Sequence, residues 1–293
     1  MQKLIVKGKK FLSGSISISG SKNATLPILA ASLLCKKVKI TNIPLVKDVF
    51  TMIELLSSIG LNIKINKNEN SLKISNFKRR LNTIAPYNLV KTMRAGVLVL
   101  GPLLAKFKKA KVSLPGGCAI GSRPVDLHLF ALKKMGAKIK IKNGYIYASA
   151  KNGLIGAKIN FPKISVGATE NAIIAAAHAK GKTTLWNCSI EPEVQDLIFF
   201  LNNLGCNIRL KKRNIVIVGM FEPKSISYEI MFDRIEAGTY LIASALAGKK
   251  ISILKVKPSV INTEIKILKK MGVKITTKKN KIIIHKSNKI NKT

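Results

Sequence analysis

The sequence predicts an α/β fold built from repeats of one strand, helix, strand, helix, strand, strand pattern. The first observation is an amphipathic helix that ends at glycine and leads into alternating apolar and basic residues; it recurs about every 70 residues. The four copies are residues 58–63, 134–139, 203–208 and 270–275. Because glycine favours a helix C-terminus and alternation favours a strand, each copy indicates a helix followed by a strand.

The second observation is an apolar helix upstream of each copy. Four Ala- and Leu-rich stretches have helical length, and we expect them to be buried: 26–34, 96–105, 172–179 and 238–247. A turn and a short strand follow, as at 181–185 and 248–253. The repeat is therefore strand, helix, strand, helix and a closing pair of strands.

Length and composition indicate a large aliphatic core. At 293 residues the chain exceeds the usual size of one domain, so we expect two domains, or one and part of another. Hydrophobic residues make up 47% and aromatic residues only 5%, which favours packing by Ile, Leu, Val and Ala. No apolar tract is long enough for a membrane span, and the first residues lack the features of a secretory signal. We therefore expect a cytoplasmic protein with no membrane partner.

The cysteines and histidines give no metal pattern. The four cysteines are far apart and form no C-x-x-C motif: Cys35, Cys118, Cys188 and Cys206. Their spacing indicates neither a metal site nor a disulfide framework, and apart from Cys118 we interpret them as core thiols. We expect structural roles for the three histidines, His128, His178 and His285.

The net charge of +39 would ordinarily suggest a nucleic-acid partner. The lysines are scattered through every segment, however, and no basic and aromatic RNA-binding motif accompanies them. A genome-wide bias toward Lys, Ile and Asn explains the distribution as well as binding does. We therefore expect nonspecific attraction to polyanions at low salt and no specific nucleic-acid partner.

The strongest candidate site is the run P-G-G-C-A-I-G-S-R-P-V-D at 115–126. Its proline and glycines disfavour helix and strand, so Cys118 is predicted on a loop where the sulfur can reach a ligand. Arg123 would favour the thiolate and offer a planar fork to a phosphate or carboxylate. The pattern favours a reactive thiol beside an anionic substrate; the alternative is a small buried thiol in a surface turn.

Polar clusters precede the four apolar helices, at 19–23, 91–94, 165–171 and 233–239. Free N–H groups and the helix dipole favour anions at helix starts, and Lys22 and Arg94 add formal charge. Ordinary capping explains Ser165 or Thr169 equally well. Capping does not explain Lys22 and Arg94, because a cation opposes the dipole there, so we interpret these two as functional.

In order and spacing, these motifs resemble those of the UDP-N-acetylglucosamine 1-carboxyvinyltransferases, the enolpyruvyl transferases that begin peptidoglycan synthesis. The similarity covers almost the whole chain and includes residues 18–24, 90–95, 113–127, 165–169, 191–193 and 233–236. The run at 115–126 is the most specific part. It distinguishes this family from the shikimate enolpyruvyl transferases, which share the fold and a lysine near the start. The resemblance implies an enolpyruvyl-transferase-like inside-out α/β barrel.

The resemblance implies transfer of an enolpyruvyl group from phosphoenolpyruvate to the 3-hydroxyl of UDP-N-acetylglucosamine, through a tetrahedral ketal that loses phosphate. It implies these two substrates as partners and no metal or organic cofactor. Cys118 matches the general acid toward the methylene carbon, on a loop that closes over the site. The same thiol is the family's target for the epoxide antibiotic fosfomycin. The implied cellular roles are cell-wall biogenesis, cell shape, cell cycle and cell division.

The resemblance also carries over a set of site residues. The implied catalytic group is Cys118 with the cations that hold phosphate and carboxylate, namely Lys22, Arg94 and Arg123. The positions that match substrate-binding residues are Lys22, Asn23, Arg94, Arg123, Pro124, Val125, Asp126, Leu127, Lys163, Ile164, Ser165 and Val166. Glu191 and Glu193 match positions with binding or structural roles, so we do not assign either as the base.

The chain departs from the family pattern in its number of repeats. Family members have six repeats in two domains of three, whereas four are present here. Segments that supply two aspartates and a further phosphate-binding arginine are absent. We expect residues 14–231 to form a complete three-repeat domain with the Cys118 loop, and residues 1–13 plus 232–293 to form a partial second domain. A complementing C-terminal polypeptide is a further expected partner.

Three functions remain open from the sequence. The leading hypothesis is the enolpyruvyl transferase. The second is a catalytically impaired UDP-sugar-binding relic, or a half-enzyme that needs a second polypeptide; the missing repeats favour it, and retention of the thiol with its cations disfavours it. The third is charge-driven nonspecific nucleic-acid binding, whose affinity would fall steeply as salt rises.

Overall fold

The structure is a computed structural model that describes residues 3, 5, 8, 11–76, 81–116, 125–286 and 291. Contacts divide the chain into two lobes. The central lobe is Lys22–Met231, and the terminal lobe combines Met1–Ser21 with Phe232–Thr293. Within the described part of the chain, no helix combines the length and apolar character needed to cross a bilayer.

The described elements alternate between strands and helices. The strands are β1 (Leu12–Ser17), β2 (Lys37–Thr41), β3 (Asn62–Asn66), β4 (Ser71–Ser75), β5 (Ile84–Ala85), β6 (Lys109–Ser113), β7 (Lys138–Lys142), β8 (Tyr145–Ser149), β9 (Lys158–Asn160), β10 (Lys182–Trp186), β11 (Asn207–Lys211), β12 (Asn214–Val218), β13 (Ile226–Glu229), β14 (Gly248–Leu254), β15 (Ile275–Lys278) and β16 (Lys281–His285). The α-helices are α1 (Lys22–Ala31), α2 (Lys47–Ile59), α3 (Tyr87–Val90), α4 (Leu100–Phe107), α5 (Asp126–Lys134), α6 (Val166–Ala177), α7 (Pro192–Leu204), α8 (Arg234–Ala247) and α9 (Asn262–Lys270). Short 3-10 helices lie at Ser32–Leu34, Arg94–Val99 and Pro258–Ile261.

The described residues of the central lobe form three sheets of one topology. Their strand orders are β13-β2-β4-β3, β5-β6-β8-β7 and β9-β10-β12-β11. In each sheet the first pair is parallel and the next two pairs are antiparallel. The parallel pair needs a crossover connection, and the antiparallel closing pair needs only a short turn. The predicted six-element repeat is confirmed.

The apolar helices lie inside the central lobe and the sheets lie outside. Helix α6 packs against α1 and α4, and its residues from Ala168 to Ala177 are all buried. The sheets bury only one face, as in β2, where Val38 and Ile40 point into the core. This arrangement follows from sequence, since helices without a polar face must be covered on every side. The expectation of buried Ala- and Leu-rich helices is confirmed for the three stretches in the central lobe. It is wrong for much of 238–247, where Ile242 and Leu246 of α8 are exposed.

Glycine follows the amphipathic second helix of each repeat. Gly60, Gly136, Gly205 and Gly272 have φ values of 118°, 90°, 113° and 90°. A side chain at this left-handed φ would be strained, so glycine allows the helix to end and the chain to turn into the next strand. These four glycines are the ones from which the sequence pattern predicted the helix ends.

The terminal lobe contains one further sheet of the same topology, β1-β14-β16-β15. Its core includes Leu241 of α8, Ile253 of β14 and Ile265 of α9. The strand that precedes α8 in sequence is β13, yet β13 pairs with β2 in the central lobe, and β1 pairs with β14. The expected boundary between residues 13 and 14 falls inside β1, whereas the contacts divide the chain between Ser21 and Lys22.

Candidate functional site

The described candidate residues all belong to the central lobe and lie at or just before helix starts. They are Lys22 and Asn23 at α1, Arg94 at a 3-10 helix, Val125, Asp126 and Leu127 at α5, and Lys163, Ile164, Ser165 and Val166 at α6. Cys118, Arg123 and Pro124 lie outside the described residues. Helix starts present free N–H groups and positive dipole ends, so this placement suits an anionic ligand.

Lys22 begins α1 and pairs with a carboxylate. Its Nζ lies 3.1 Å from Oδ2 of Asp48, which is in the first turn of α2. The two side chains are 43% and 37% exposed, so the pair is open to solvent and contributes little stability. Asp48 offsets the repulsion between Lys22 and the dipole of α1. The lysine therefore has a structural partner that the sequence analysis missed, and Asn23 beside it is exposed.

Arg94 begins the 3-10 helix that leads into α4. It is exposed, while the preceding Met93 is buried and holds the chain in an extended conformation. Its charge acts on α5, since burial lowers the pKa of His128 there and the Arg94 charge lowers it further. The structure therefore places the Arg94 cation near the start of α5, where Asp126 is also exposed.

The start of α6 is capped by Ser165. The Ser165 side chain accepts a hydrogen bond from the backbone N–H of Ala168 at 3.3 Å, which confirms the capping interpretation. Thr169 has another role, since its Oγ1 accepts from the N–H of Ser189 at 3.1 Å in a buried position. The residues around the cap are open: Ile164 and Val166 are 47% and 39% exposed. Exposed apolar side chains beside free helix N–H groups suit a ligand with both apolar and anionic parts.

A buried amide and imidazole connect these helix starts. Oδ1 of Asn171 in α6 accepts from the Gly101 N–H at 2.9 Å, and its Nδ2 lies 3.1 Å from Nδ1 of His128. Burial, followed by the charge of Arg94, lowers the pKa of His128 to about 4, against the raising effect of Asp126. The structural role expected for His128 is supported by these contacts. Asn171 lay within a predicted cluster, but the sequence analysis gave it no role.

A cavity of about 580 Å³ opens beside α5. Among the described residues it is lined by Leu114, Pro115, Val125, Asp126, Leu129, Phe130, Lys133 and Ile141. Four of these flank the 117–124 segment in sequence, and most of the lining is apolar. Sequence reasoning missed the cavity, although the apolar face of α5 was visible as periodicity. The cavity can accept the body of a ligand whose charged groups lie near Asp126 and Lys133.

Carboxyl groups cluster where α6 and α7 begin. Glu170 and Glu193 are buried, and the Ser189 hydroxyl donates to Oε2 of Glu191. Burial, helped by Glu193 and then Glu191, raises the pKa of Glu170 well above 4.5. The hydrogen bond that links α6 to the segment before α7 is the one from the Ser189 N–H to Thr169 Oγ1.

The polar cluster at the start of α8 forms hydrogen bonds within the terminal lobe. Oδ1 of Asp233 accepts from the N–H groups of Ile235 and Glu236, at 2.8 and 3.0 Å. Oε2 of Glu236 in turn accepts from the N–H of Ser19 at 3.0 Å and from the Ser19 hydroxyl. Asp233 is therefore a helix cap, and Glu236 fixes the segment that follows β1.

The described thiols are not organised for nucleophilic chemistry. Cys35, Cys188 and Cys206 are buried and free. Burial raises the pKa of Cys35 and Cys188 to about 12 and that of Cys206 further. Their interpretation as core thiols is confirmed.

Comparison with known proteins gives the chain's relatives. A family model described as EPSP synthase (3-phosphoshikimate 1-carboxyvinyltransferase) matches residues 6–293. A UDP-N-acetylglucosamine 1-carboxyvinyltransferase of Pelagibacter ubique (strain HTCC1062) is 62% identical over 292 residues, which are 99% of this chain and 69% of the relative. One of Rickettsia prowazekii (strain Madrid E) is 46% identical over 294 residues, 99% of this chain and 70% of the relative.

This chain belongs to the UDP-N-acetylglucosamine 1-carboxyvinyltransferase family. The description of the broader family model names the shikimate enzyme. The 62% and 46% identities to the named relatives place this chain with the UDP-N-acetylglucosamine enzymes instead. The sequence resemblance is confirmed, and the chain spans about 70% of the length of these relatives.

Two solved structures support the enolpyruvyl transferase fold. The enolpyruvyl transferase NikO from Streptomyces tendae superimposes with a TM-score of 0.82 at 19% identity, covering 95% of this chain and 66% of that one. An EPSP synthase from Acinetobacter baumannii gives a TM-score of 0.75 at 18% identity, covering 97% and 66%. At these identities the likeness concerns the fold alone. The predicted fold class is confirmed, with the described strands in four separate sheets.

Proposed function

We propose that this chain transfers the enolpyruvyl group of phosphoenolpyruvate to the 3-hydroxyl of UDP-N-acetylglucosamine, in the first committed step of peptidoglycan synthesis. The sugar 3-hydroxyl gives its proton to a base outside the assigned residues as its oxygen bonds to C2 of phosphoenolpyruvate, and Cys118 gives a proton to C3, which forms a tetrahedral ketal. The C2–O bond to phosphate then breaks with its electron pair on phosphate, which takes up the proton held by the base. C3 returns a proton to the Cys118 thiolate, which forms the enol ether. The observation that carries the proposal is 62% identity to a relative with this name over 99% of the chain.

The site geometry supports anion binding at the described helix starts. Phosphoenolpyruvate carries a phosphate and a carboxylate, and the nucleotide sugar carries a diphosphate. Lys22, Arg94 and Arg123 are proposed to hold the phosphate and carboxylate, since fixed cations stabilise charge that would otherwise resist loss of water. Arg94 is exposed, and Lys22 is 43% exposed beside Asp48.

The nucleotide sugar is assigned to the α5 and α6 starts. Val125, Asp126 and Leu127 begin α5, with Arg123 and Pro124 just before it, and Asn23 is proposed to contact the sugar from α1. Lys163 to Val166 precede and begin α6, where exposed apolar side chains lie beside the free N–H groups of the first turn. The cavity beside α5 offers space for the uncharged part of this ligand.

A second candidate is a half-enzyme that binds UDP-sugar and needs further repeats for turnover. The observation that favours it is the apolar face of α8, on which Ile235, Ile242 and Leu246 are 54%, 49% and 73% exposed. The corresponding helix α6 of the central lobe buries ten consecutive residues. We infer that α8 packs against the apolar helices of two further repeats. They would come either from an extension of this chain or from a complementing C-terminal polypeptide.

Fosfomycin labelling tests the proposed role of Cys118. The thiolate opens the epoxide, forms a thioether and leaves an alkoxide that takes up a proton. We expect one covalent adduct on Cys118, formed faster with UDP-N-acetylglucosamine and absent in Cys118→Ala, measured by peptide mass spectrometry. The three buried thiols serve as internal controls, because their raised pKa values keep them protonated.

The matched control is Cys206→Ala, which should label like the wild type. Adducts distributed over several cysteines, or labelling that survives in Cys118→Ala, would contradict the proposed site. If Cys118 is labelled at the same rate with and without UDP-N-acetylglucosamine, the thiol is reactive but the proposed sugar site is contradicted.

A further inference from the structure

Asn171 is a buried amide in α6, whose following residues from Ala172 to Ala177 are all apolar. It has no exposed surface, and its Oδ1 accepts from the Gly101 N–H at 2.9 Å. Its Nδ2 lies 3.3 Å from the carbonyl oxygen of Val97 and 3.1 Å from Nδ1 of His128. Because the Gly101 N–H requires an acceptor, the amide orientation is fixed and Nδ2 is the donor toward His128. One side chain on α6 therefore joins α4, α5 and the 3-10 helix that begins at Arg94.

The contacts of Asn171 fix the tautomer of His128. Since Nδ1 accepts, the neutral ring carries its proton on Nε2. A Cβ placed on Gly167 would lie 3.2 Å from Cε1 and 3.3 Å from Nε2, so this edge of the ring lies against the first turn of α6. Glycine at 167 allows that close approach.

The charged groups that act on His128 are Arg94 from the 3-10 helix and Asp126 from its own helix. A neutral ring can accept from Asn171 and adds no positive charge near Arg94. The burial of the ring, together with Arg94, lowers the pKa of His128 to about 4, so the neutral form persists at neutral pH.

We propose that Asn171 and His128 form a positioning pair that sets Arg94 and Asp126 relative to the start of α6. The inference rests on the proposed function, because these three places are the proposed anion and sugar positions. Neither residue touches substrate in this account. The pair acts by fixing the positions of the 3-10 helix that begins at Arg94, of α5 and of α6 relative to one another. A displacement of about 1 Å between such elements is enough to lower activity strongly.

The test uses the full chain, three comparison variants and a fourth variant for resonance assignment. His128→Leu has a similar volume but leaves the Asn171 amide without its acceptor, whereas His128→Gln restores an acceptor oxygen. His178→Leu is the control, because His178 lies at the other end of α6. The readout is the Nε–Hε resonance of Arg94 by NMR, assigned as the signal lost in Arg94→Lys. We expect His128→Leu to shift this resonance, and His128→Gln and His178→Leu to leave it in place.

Ligand affinity separates this inference from the proposed function. The dissociation constant for UDP-N-acetylglucosamine, measured by calorimetry, should rise roughly tenfold in His128→Leu and stay close to wild type in His128→Gln. An Arg94 resonance that does not move in His128→Leu would overturn the positioning pair, whatever the affinity. A wild-type chain without sugar affinity, but with a shifted Arg94 resonance in the variant, would overturn only the proposed function.

The wild-type ring gives a check that does not depend on whether a variant folds. Nitrogen NMR of His128 at neutral pH should show a neutral ring with its proton on Nε2. A charged ring, or a proton on Nδ1, would contradict the hydrogen bond from Asn171 on which the inference depends.

Discussion

At the scale of single residues, Asp196 shows how burial changes a carboxyl group. It lies in α7, and its Oδ1 accepts from the Tyr228 hydroxyl at 2.7 Å while its Oδ2 accepts from the Met231 N–H at 3.3 Å. Burial raises the pKa of Asp196 from 3.8 to about 6, although these two hydrogen bonds lower it. The carboxyl thus ties α7 to β13 and to the last residue of the central lobe.

Asp196 should make stability depend on pH. Its pKa is higher in the folded state, so the folded state binds more protons between about pH 4 and 6 and loses stability as pH rises through this window. The loss should be about 3 kcal/mol at most. Asp196→Asn cannot ionise, and we expect its free energy of unfolding in urea to vary less with pH over this range. An identical pH dependence in the variant and the wild type would show that Asp196 does not ionise as described.

The candidate residues show what a sequence can and cannot indicate. Lys22 and Arg94 were proposed from the sequence because a cation at a helix start is unusual. Asn171 was harder to find, because an amide next to a capping sequence suggests a cap. Its burial depends on three elements that are distant in sequence, with Gly101 70 positions away. A polar residue within an Ala-rich helix is the signal that could have indicated it.

At the scale of elements, the start of the second apolar helix differs from the sequence expectation. The stretch 96–105 was expected to be one helix, and the structure has a 3-10 helix at Arg94–Val99 followed by α4. Pro102 lacks an N–H, so it fits in the first turn of an α-helix and not further inside. Gly96 also packs closely, since a Cβ there would lie 3.2 Å from Val90. Such packing is tertiary and does not appear in periodicity.

Two glycines in apolar helices should respond in opposite ways to alanine. A Cβ on Gly101 would lie 2.2 Å from Oδ1 and 2.7 Å from the backbone oxygen of Asn171, so Gly101→Ala should lower the free energy of unfolding by about 1–3 kcal/mol. A Cβ on Gly238 of α8 would meet nothing within 4 Å, so Gly238→Ala should stabilise by about 0.5–1 kcal/mol. Urea unfolding of both variants measures the difference. Equal effects would contradict the close packing of α4 against α6.

At the scale of the whole molecule, the repeat was predictable from sequence, but the pairing of strands from distant segments was not. Helix periodicity and the glycines at helix ends defined four copies, and the four sheets have one topology. The pairing of β1 with β14, and of β13 with β2, joins segments about 200 residues apart. Local sequence carries no signal for such pairing, and the expected grouping of residues 1–13 with residues 232–293 rests on the family resemblance alone.

The most direct test of the central claim is phosphate release from phosphoenolpyruvate in the presence of UDP-N-acetylglucosamine. The assay compares this chain alone with the chain plus a separate polypeptide taken from the Pelagibacter relative beyond the matched region. We predict turnover in the mixture, its loss in Cys118→Ala, and reduced turnover in Leu246→Asp, since that charge would oppose packing against α8. Phosphate release that is the same in Cys118→Ala, or none in a mixture shown to associate, would contradict the account.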